Sequence, residues 1–325
     1  MRAAAIQLEP VIAVVAANLD ACERLADAAA AEGAELIALP EFFTTGIAFD
    51  ERLAGAALAP DGAATDLLRD LARRHGALVG GSFLCRDADG DVRNAYLLAG
   101  RDGAILGRHD KDLPTMLENA FYVGGDDDGV IDAGELTAGA AVCWELMRTQ
   151  TARRLRGRID VLMAGSGWWS IPAWPPRRLF ARMEKANGRT ATTVAERMAR
   201  FVGAPVVHGA HAGSFEYPML GAPMTYRGHL EGGAVVADAT GRALARRDRR
   251  DGPGFAIADV EPRRTTPLDE VPDRFWLHRR GLVPAFTWNY QRWLGRRWYA
   301  RHTAHRPPLV LERERRRGRV AAPPR

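Results

Sequence analysis

"AGAAVCWELMRTQTARRL", residues 138–155, decides the fold. Residues 138–142 are small and apolar with no polar alternation, the pattern of a strand covered on both faces. From Thr149 the spacing turns to that of a basic amphipathic helix. A buried strand running directly into a helix is the unit of an α/β protein. At the joint stand Cys143, Trp144 and Glu145. A residue at such a joint is rigidly held yet faces the end of the sheet, as in strand-to-turn nucleophile elbows.

Outward from this joint the same alternation recurs. Strands are expected at 2–8, 34–41, 77–84, 94–100, 103–111, 160–166, 204–210 and 254–261, and helices at 18–33, 64–76, 149–156 and 176–201. Asn18 reads as the first helix's N-cap and Gly33 as its stop. "RDG" (101–103) and "ATGR" (239–242) read as hairpin turns.

The chain has 325 residues, 47% of them hydrophobic, enough for a substantial core. No apolar run is long enough to cross a bilayer, and Glu9 and Pro10 interrupt the N-terminus before it resembles a signal peptide. Three scattered cysteines suit neither a disulfide framework nor a paired-cysteine metal site, so a reducing cytoplasm is expected. The net charge of +5 is uneven: from Arg263 onward there are 16 arginines, no lysine and five acids. The preceding residues are mildly acidic, which argues against nucleic acid as their main partner. The domain reading is therefore 1–262 as the body and 263–325 as a basic Trp/Arg-rich extension. Residues 271–300, with Trp276, Trp288, Trp293 and Trp298 among arginines, are expected to dock on the acidic core of their own or a neighbouring subunit, burying the tryptophans and pairing the arginines; a nucleic-acid or anionic-membrane arm is the alternative. The last 14 residues, 312–325, have no apolar face and are expected to be mobile.

Charged residues at strand ends accompany Cys143. Glu41 follows "LIALP", where apolar surroundings would lift its pKa toward that of a base. Lys111 ends "AILGRHDK", where an ammonium could hold an oxyanion, and Glu118 lies seven residues on. Cys22 and Cys85 read as core residues. His208 and His211 lack a third metal ligand, and "GGDDDG" (124–129) lacks calcium-loop spacing, so neither a metal nor a cofactor is expected.

"LPEFFTTG" around Glu41, "HDKDLPTMLENAFYVGGDDDG" around Lys111 and "GAAVCWELMR" around Cys143 resemble, in order and separation, the nitrilase (carbon–nitrogen hydrolase) superfamily. The likeness runs from about residue 2 to residue 261 and includes the hairpin "GGAVVADATGRALA". It implies an α/β fold, the nitrilase-like α-β-β-α four-layer sandwich with a C-terminal extension, dimerising to eight layers or assembling further. It also implies Cys143 as nucleophile, Glu41 as general base, Lys111 as transition-state stabiliser and Glu118 as substrate-positioning glutamate. The expected activity is hydrolysis of non-peptide carbon–nitrogen bonds, amidase-type, through a Cys thioester. The alternatives are a nitrilase making acid and ammonia, favoured by "CWE" and "KxxPTxxE", and an inactive binding scaffold. The expected partner is a small amide or nitrile, not nucleic acid or membrane. Trp144, Trp168 and Trp169 are candidate walls of the substrate site, and His208 a substrate contact or structural residue. Glu145 reads as a structural partner for Lys111 or Arg148, or as part of the site.

Overall fold

The computed structural model describes residues 1–218, 225–278 and 282–311. In chain order the body runs β1 (Arg2–Leu8), α1 (Val15–Ala31), β2 (Leu36–Ala38), α2 (Ala63–His75), β3 (Leu78–Arg86), β4 (Val92–Ala99) and β5 (Ile105–Asp110). Then come β6 (Val130–Asp132), β7 (Thr137–Val142), α3 (Thr149–Leu155), β8 (Val161–Ser166), α4 (Arg177–Val202) and β9 (Val206–His211). The series closes with β10 (Ser214–Pro218), β11 (Thr225–His229), β12 (Gly232–Ala237), β13 (Ala243–Asp248), β14 (Gly254–Asp259) and α5 (Leu282–Trp298).

Twelve strands form two facing halves, β5-β4-β3-β2-β1-β14 and β6-β7-β8-β9-β12-β13, joined where Gln7 and Leu8 of β1 pair with Ala210 and His211 of β9. The alternation of β1 shows why they stack. Ala3 and Ala5 face the inter-sheet core, while Ala4, Ile6 and Leu8 face α1 and α2. Helix α2 presents Ala64, Leu68, Leu71 and Ala72 to that outer face, one stripe of a 3.6-residue period, and ends at Gly76 with φ +60°. On the far side α4 buries Val194, Ala195, Met198, Ala199 and Val202 against the second half. The layers are thus helix, sheet, sheet, helix, as expected, and β10 and β11 make a separate two-stranded sheet.

The inter-sheet layer is built largely of alanine, so the sheets approach closely. At Gly165 and Gly209 the approach reaches backbone: a Cβ there would stand 2.7 Å from Glu41 N and 2.7 Å from Leu39 C, respectively. Two missing side chains therefore let the second sheet lie against the strand end that carries Glu41.

Some expectations change. Helix α1 starts at Val15, and Asn18 is no cap: its side chain is buried, bonding both backbone groups of Val11 and the Thr44 carbonyl. Between β7 and α3 the chain makes a 3₁₀ turn, Cys143–Met147. Residues 282–298, too weakly periodic to read as a helix, form α5, which packs on the 3₁₀ turn Met116–Ala120. Docking of 271–300 follows the expectation in part. Trp276 and Trp288 pack on the core, but Trp293 is 54% exposed. Among the described residues Arg292, Arg296 and Arg297 make no ion pair; the nearby carboxylates Glu118 and Asp112 are engaged by Lys111 and Arg148. The expectation for 312–325 lies outside the described residues. No described helix is long and apolar enough to cross a membrane.

Candidate active site

β2, β5, β7 and β8 run in the same direction, and each delivers a group at its carboxyl end: Glu41, Lys111, Cys143 and Gly167. The carboxyl edge of parallel strands is where α/β proteins gather site residues. Three non-glycine residues with left-handed backbone sit at this edge, Phe42 (φ +51°), Met116 (φ +51°) and Cys143 (φ +54°). Such conformations cost about 1–3 kcal/mol each and persist only where surroundings impose them. Cys143 therefore stands on a strained elbow, which turns its sulfur out of the strand toward the facing half.

Lys111 is the hub. Its Nζ donates to Glu41 Oε1 at 2.8 Å and to Glu118 Oε2 at 2.7 Å, with all three side chains fully buried. Asn94 Nδ2 donates to Glu41 Oε1 (3.0 Å) and the Gly167 N–H to Oε2 (2.9 Å). Glu118 Oε2 also accepts from Thr115 N–H (2.9 Å) and from the Tyr122 hydroxyl. Glu118 Oε1 is buried with no hydrogen-bond partner.

Protonation follows from these contacts. Burial pushes the Cys143 thiol well up, and the neighbouring Glu41 charge adds to it, so the resting sulfur holds its proton. Burial also raises Glu41, against the opposing pull of Lys111. Burial alone would lower Lys111, but Glu118 and Glu41 outweigh it and hold the ammonium well above its ordinary value. Chemically this is a protonated thiol beside a carboxylate poised to take its proton and a cation fixed beside both.

A second buried network braces the elbow. Glu145 Oε2 accepts from Val142 N–H (2.7 Å) and Oε1 from Asp112 N–H (3.1 Å), so one carboxylate ties the residue before Cys143 to the residue after Lys111. His109 lies between Glu145 (2.8 Å) and Asp127 (2.5 Å), one carboxylate on each ring nitrogen. Burial would lower its pKa; Glu145 and Asp127 outweigh this and push it up to about 9. Arg154 adds a second cation at 3.2 Å from Glu145 Oε1. This corrects the expected pairing of Glu145: its partners are His109 and Arg154, and Arg148 is held by Asp112. Lys111 is instead directed to Glu41 and Glu118, which take two of its three N–H groups. The "GGDDDG" segment is a loop whose Asp127 serves His109 and the N–H groups of Asp110 and Gly129.

The remaining candidates divide. Trp144 packs among Trp168, Trp276 and Trp288, with ring centroids 5.9, 5.8 and 5.4 Å away. Trp169 joins a different cluster with Trp174, since neighbours on an extended segment point to opposite sides. His208 is buried with Nε2 2.9 Å from Ser166 Oγ, and burial lowers it to about 4. His211 is the one that meets the site, its Nε2 2.5 Å from the Glu41 carbonyl. Asn94, Tyr122 and His109 were not read as site residues from the sequence, and His211 was read with His208 only as a structural residue or substrate contact. Only Tyr122 left a local signal, four residues after Glu118 in a tight turn; the others arrive through sheet pairing. Among the described residues Glu184, His229 and Glu231 bring potential metal-ligand atoms within 4.8 Å of one another. Hydrogen bonds to both carboxylates push His229 up to about 9, so the three groups form an ion-paired cluster of their own.

A layered αββα protein with a thiol, lysine and paired carboxylates at its strand ends is the architecture of one hydrolase class. The sequence profile of that class, carbon–nitrogen hydrolase, matches residues 2–269. The chain belongs to the carbon–nitrogen hydrolase family and is an enzyme of it. An aliphatic nitrilase from Rhodococcus rhodochrous is 27% identical over 315 residues, which is 89% of this chain and 82% of the nitrilase. A nitrilase from Pyrococcus abyssi is 32% identical over 161 residues, 48% of this chain and 60% of that one. In fold the chain resembles an amidase from Nesterenkonia sp. AN1 that had added acrylamide at its active-site cysteine. That likeness has a TM-score of 0.62 at 21% identity and covers 80% of this chain and 92% of the amidase.

Proposed function

We propose that the chain hydrolyses small carboxamides, with Cys143 as nucleophile, Glu41 as general base and Lys111 as oxyanion partner. The Cys143 sulfur attacks the amide carbon while Glu41 takes the thiol proton. The carbonyl oxygen becomes an oxyanion held by Lys111 and the backbone N–H of Trp144. The carbon–nitrogen bond then breaks, Glu41 returns the proton to the leaving nitrogen, and ammonia departs from an acyl-thioester. Water, losing a proton to Glu41, attacks the thioester; the acid leaves and the sulfur regains its proton.

The observation that carries amide over nitrile is Glu118 Oε1. It is a buried carboxylate oxygen beside Lys111 without a donor. Leaving such an acceptor unpaired is costly. An amide NH₂ supplies the missing donor; a nitrile nitrogen has no hydrogen to give. The nitrile reading is favoured by the 315-residue match to the Rhodococcus nitrilase, and it would use the same residues through a thioimidate. Intact-mass spectrometry during incubation with paired amides and nitriles of equal chain length, with ammonia release in parallel, tests the proposal. It expects an acyl adduct confined to Cys143 and faster ammonia release from amides; faster release from nitriles would reverse the choice.

A further inference from the structure

Apart from the triad and its brace, a third polar cluster gathers where α4 meets the joint between β11 and β12. Glu184 comes from α4, His229 ends β11 and Glu231 stands just before β12. Glu184 is far along the chain from the other two, so no local spacing announces them. His229 Nε2 lies 3.3 Å from Glu184 Oε1 and 3.5 Å from Glu231 Oε2. Both contacts are longer than the roughly 2.7–2.9 Å of a charge-assisted hydrogen bond, and one N–H directs a strong bond at only one carboxylate. The three ligand-type atoms nevertheless lie within 4.8 Å of one another.

Each carboxylate is held from behind. Glu184 Oε2 accepts from Ile171 N–H (2.5 Å), and Glu231 Oε1 accepts from Asn187 Nδ2 (2.9 Å). The opposite oxygens are thereby turned toward His229, whose backbone N–H is fixed on Ser170 Oγ (3.0 Å). Outer donors that orient carboxylate ligands in this manner support metal sites. Gly188 keeps the space beside the carboxylates open. It lies inside α4, where glycine weakens a helix, and a Cβ there would stand 3.2 Å from Glu231 Oε2. Glu231 is 7% exposed, so the repulsion between the two carboxylates is poorly screened. A divalent cation among them relieves that repulsion better than one imidazole proton, because it draws all three atoms at once.

We propose that Glu184, His229 and Glu231 are the protein ligands of a divalent transition-metal site of the zinc type. One imidazole nitrogen with two carboxylate oxygens suits zinc and its first-row neighbours. Calcium and magnesium require about six or more oxygen ligands, more than these residues offer. The Glu184 and His229 side chains are 27% and 26% exposed, so water completes the coordination. The ion ties the first half of α4 to the end of β11. Asn187 also accepts from Trp168 Nε1 (2.9 Å), and Trp168 packs on Trp144, so the tie extends to the wall behind Cys143. Its role is structural, since no group of the triad is a ligand, and it does not depend on the amide-hydrolysis reading.

Calorimetric titration of zinc chloride into chelator-treated protein tests the site. The wild type should bind one equivalent saturably, and zinc should raise its melting temperature. His229→Gln should weaken that binding at least about tenfold and abolish the melting shift, since even outer partners of metal ligands are worth about 10–100-fold. Glu184→Gln, nearer the solvent edge, should do the same and keeps the comparison if His229→Gln does not fold. Calcium chloride at equal concentration should not bind there. No saturable binding, binding or a melting shift that survives the folded ligand variants, or calcium binding as tight as zinc overturns the proposal.

Discussion

The elbow that carries Cys143 and the segment that packs over it meet at Trp144, yet they are held by opposite means. The elbow is fixed by directional hydrogen bonds in a buried charge network, with Glu145 bonding Val142 and Asp112 N–H groups and His109 wedged between two carboxylates. The covering segment, helix α5, meets the elbow through the stack of Trp288 on Trp144, and Arg292, Arg296 and Arg297 make no ion pair among the described residues. Hydrogen bonds between buried charges tolerate little displacement; stacked rings can slide or part at modest cost. The elbow is the stiff region and α5 the looser one.

The largest expected effect tests the stiff region at its centre. Cys143→Ala should lower kcat by about 10⁴-fold or more, since nothing else there can form the covalent intermediate. Turnover above a few per cent of wild type, measured as ammonia release by a folded variant, would refute the assignment. Next comes Lys111→Ala, with kcat down by about 10²–10³ as for loss of a single oxyanion donor. Lys111→Arg should not restore it, because a planar guanidinium cannot sit between Glu41 and Glu118 as a point charge. A change confined to KM would make Lys111 a binding group instead.

The brace predicts a stability effect. Glu145→Leu leaves His109 and Arg154 without their shared buried carboxylate, and should cost about 3–5 kcal/mol in urea unfolding. The brace also predicts a pH dependence. The folded pKa of His109 lies near 9, above its ordinary 6.5, so the proton is bound more tightly in the folded state. That stabilisation is complete below about pH 6.5 and is lost as the pH rises toward 9. Melting temperatures should fall across this window in the wild type more steeply than in His109→Gln; parallel curves would mean that His109 is neutral. The smallest effect belongs to the loose region. Trp293 is 54% exposed and, among the described residues, has Arg297 over its ring at 4.4 Å, so Arg297→Ala should change stability by no more than about 0.5 kcal/mol. A larger loss would show that the segment is fixed more firmly than its contacts indicate.

The same division governs what could be read from the chain. Glu41, Lys111 and Cys143 each follow an apolar run, and strand ends are visible in periodicity, so their convergence was legible. Helices α2 and α4 and both hairpin turns were legible for the same reason: their patterns are local. Asn94 and His211 were not, because each meets Glu41 from a different strand and only sheet order brings them there. Glu145 was misassigned because its true partner, His109, sits 36 residues away on β5. The strands β10 and β11 were missed, as was α5, whose tryptophans and arginines follow no clear amphipathic stripe.

The raised pKa of Cys143 has a consequence for how the enzyme survives between turnovers. Oxidants and stray electrophiles attack thiolates far faster than thiols. A sulfur that keeps its proton, shielded at 2% exposure, is a poor target for peroxide or for disulfide exchange. Its reactivity would arise only when a carbonyl carbon stands close enough for bond formation and proton transfer to Glu41 to occur together. On the proposed mechanism, Cys143 is dormant by default and wakened by its own reactant.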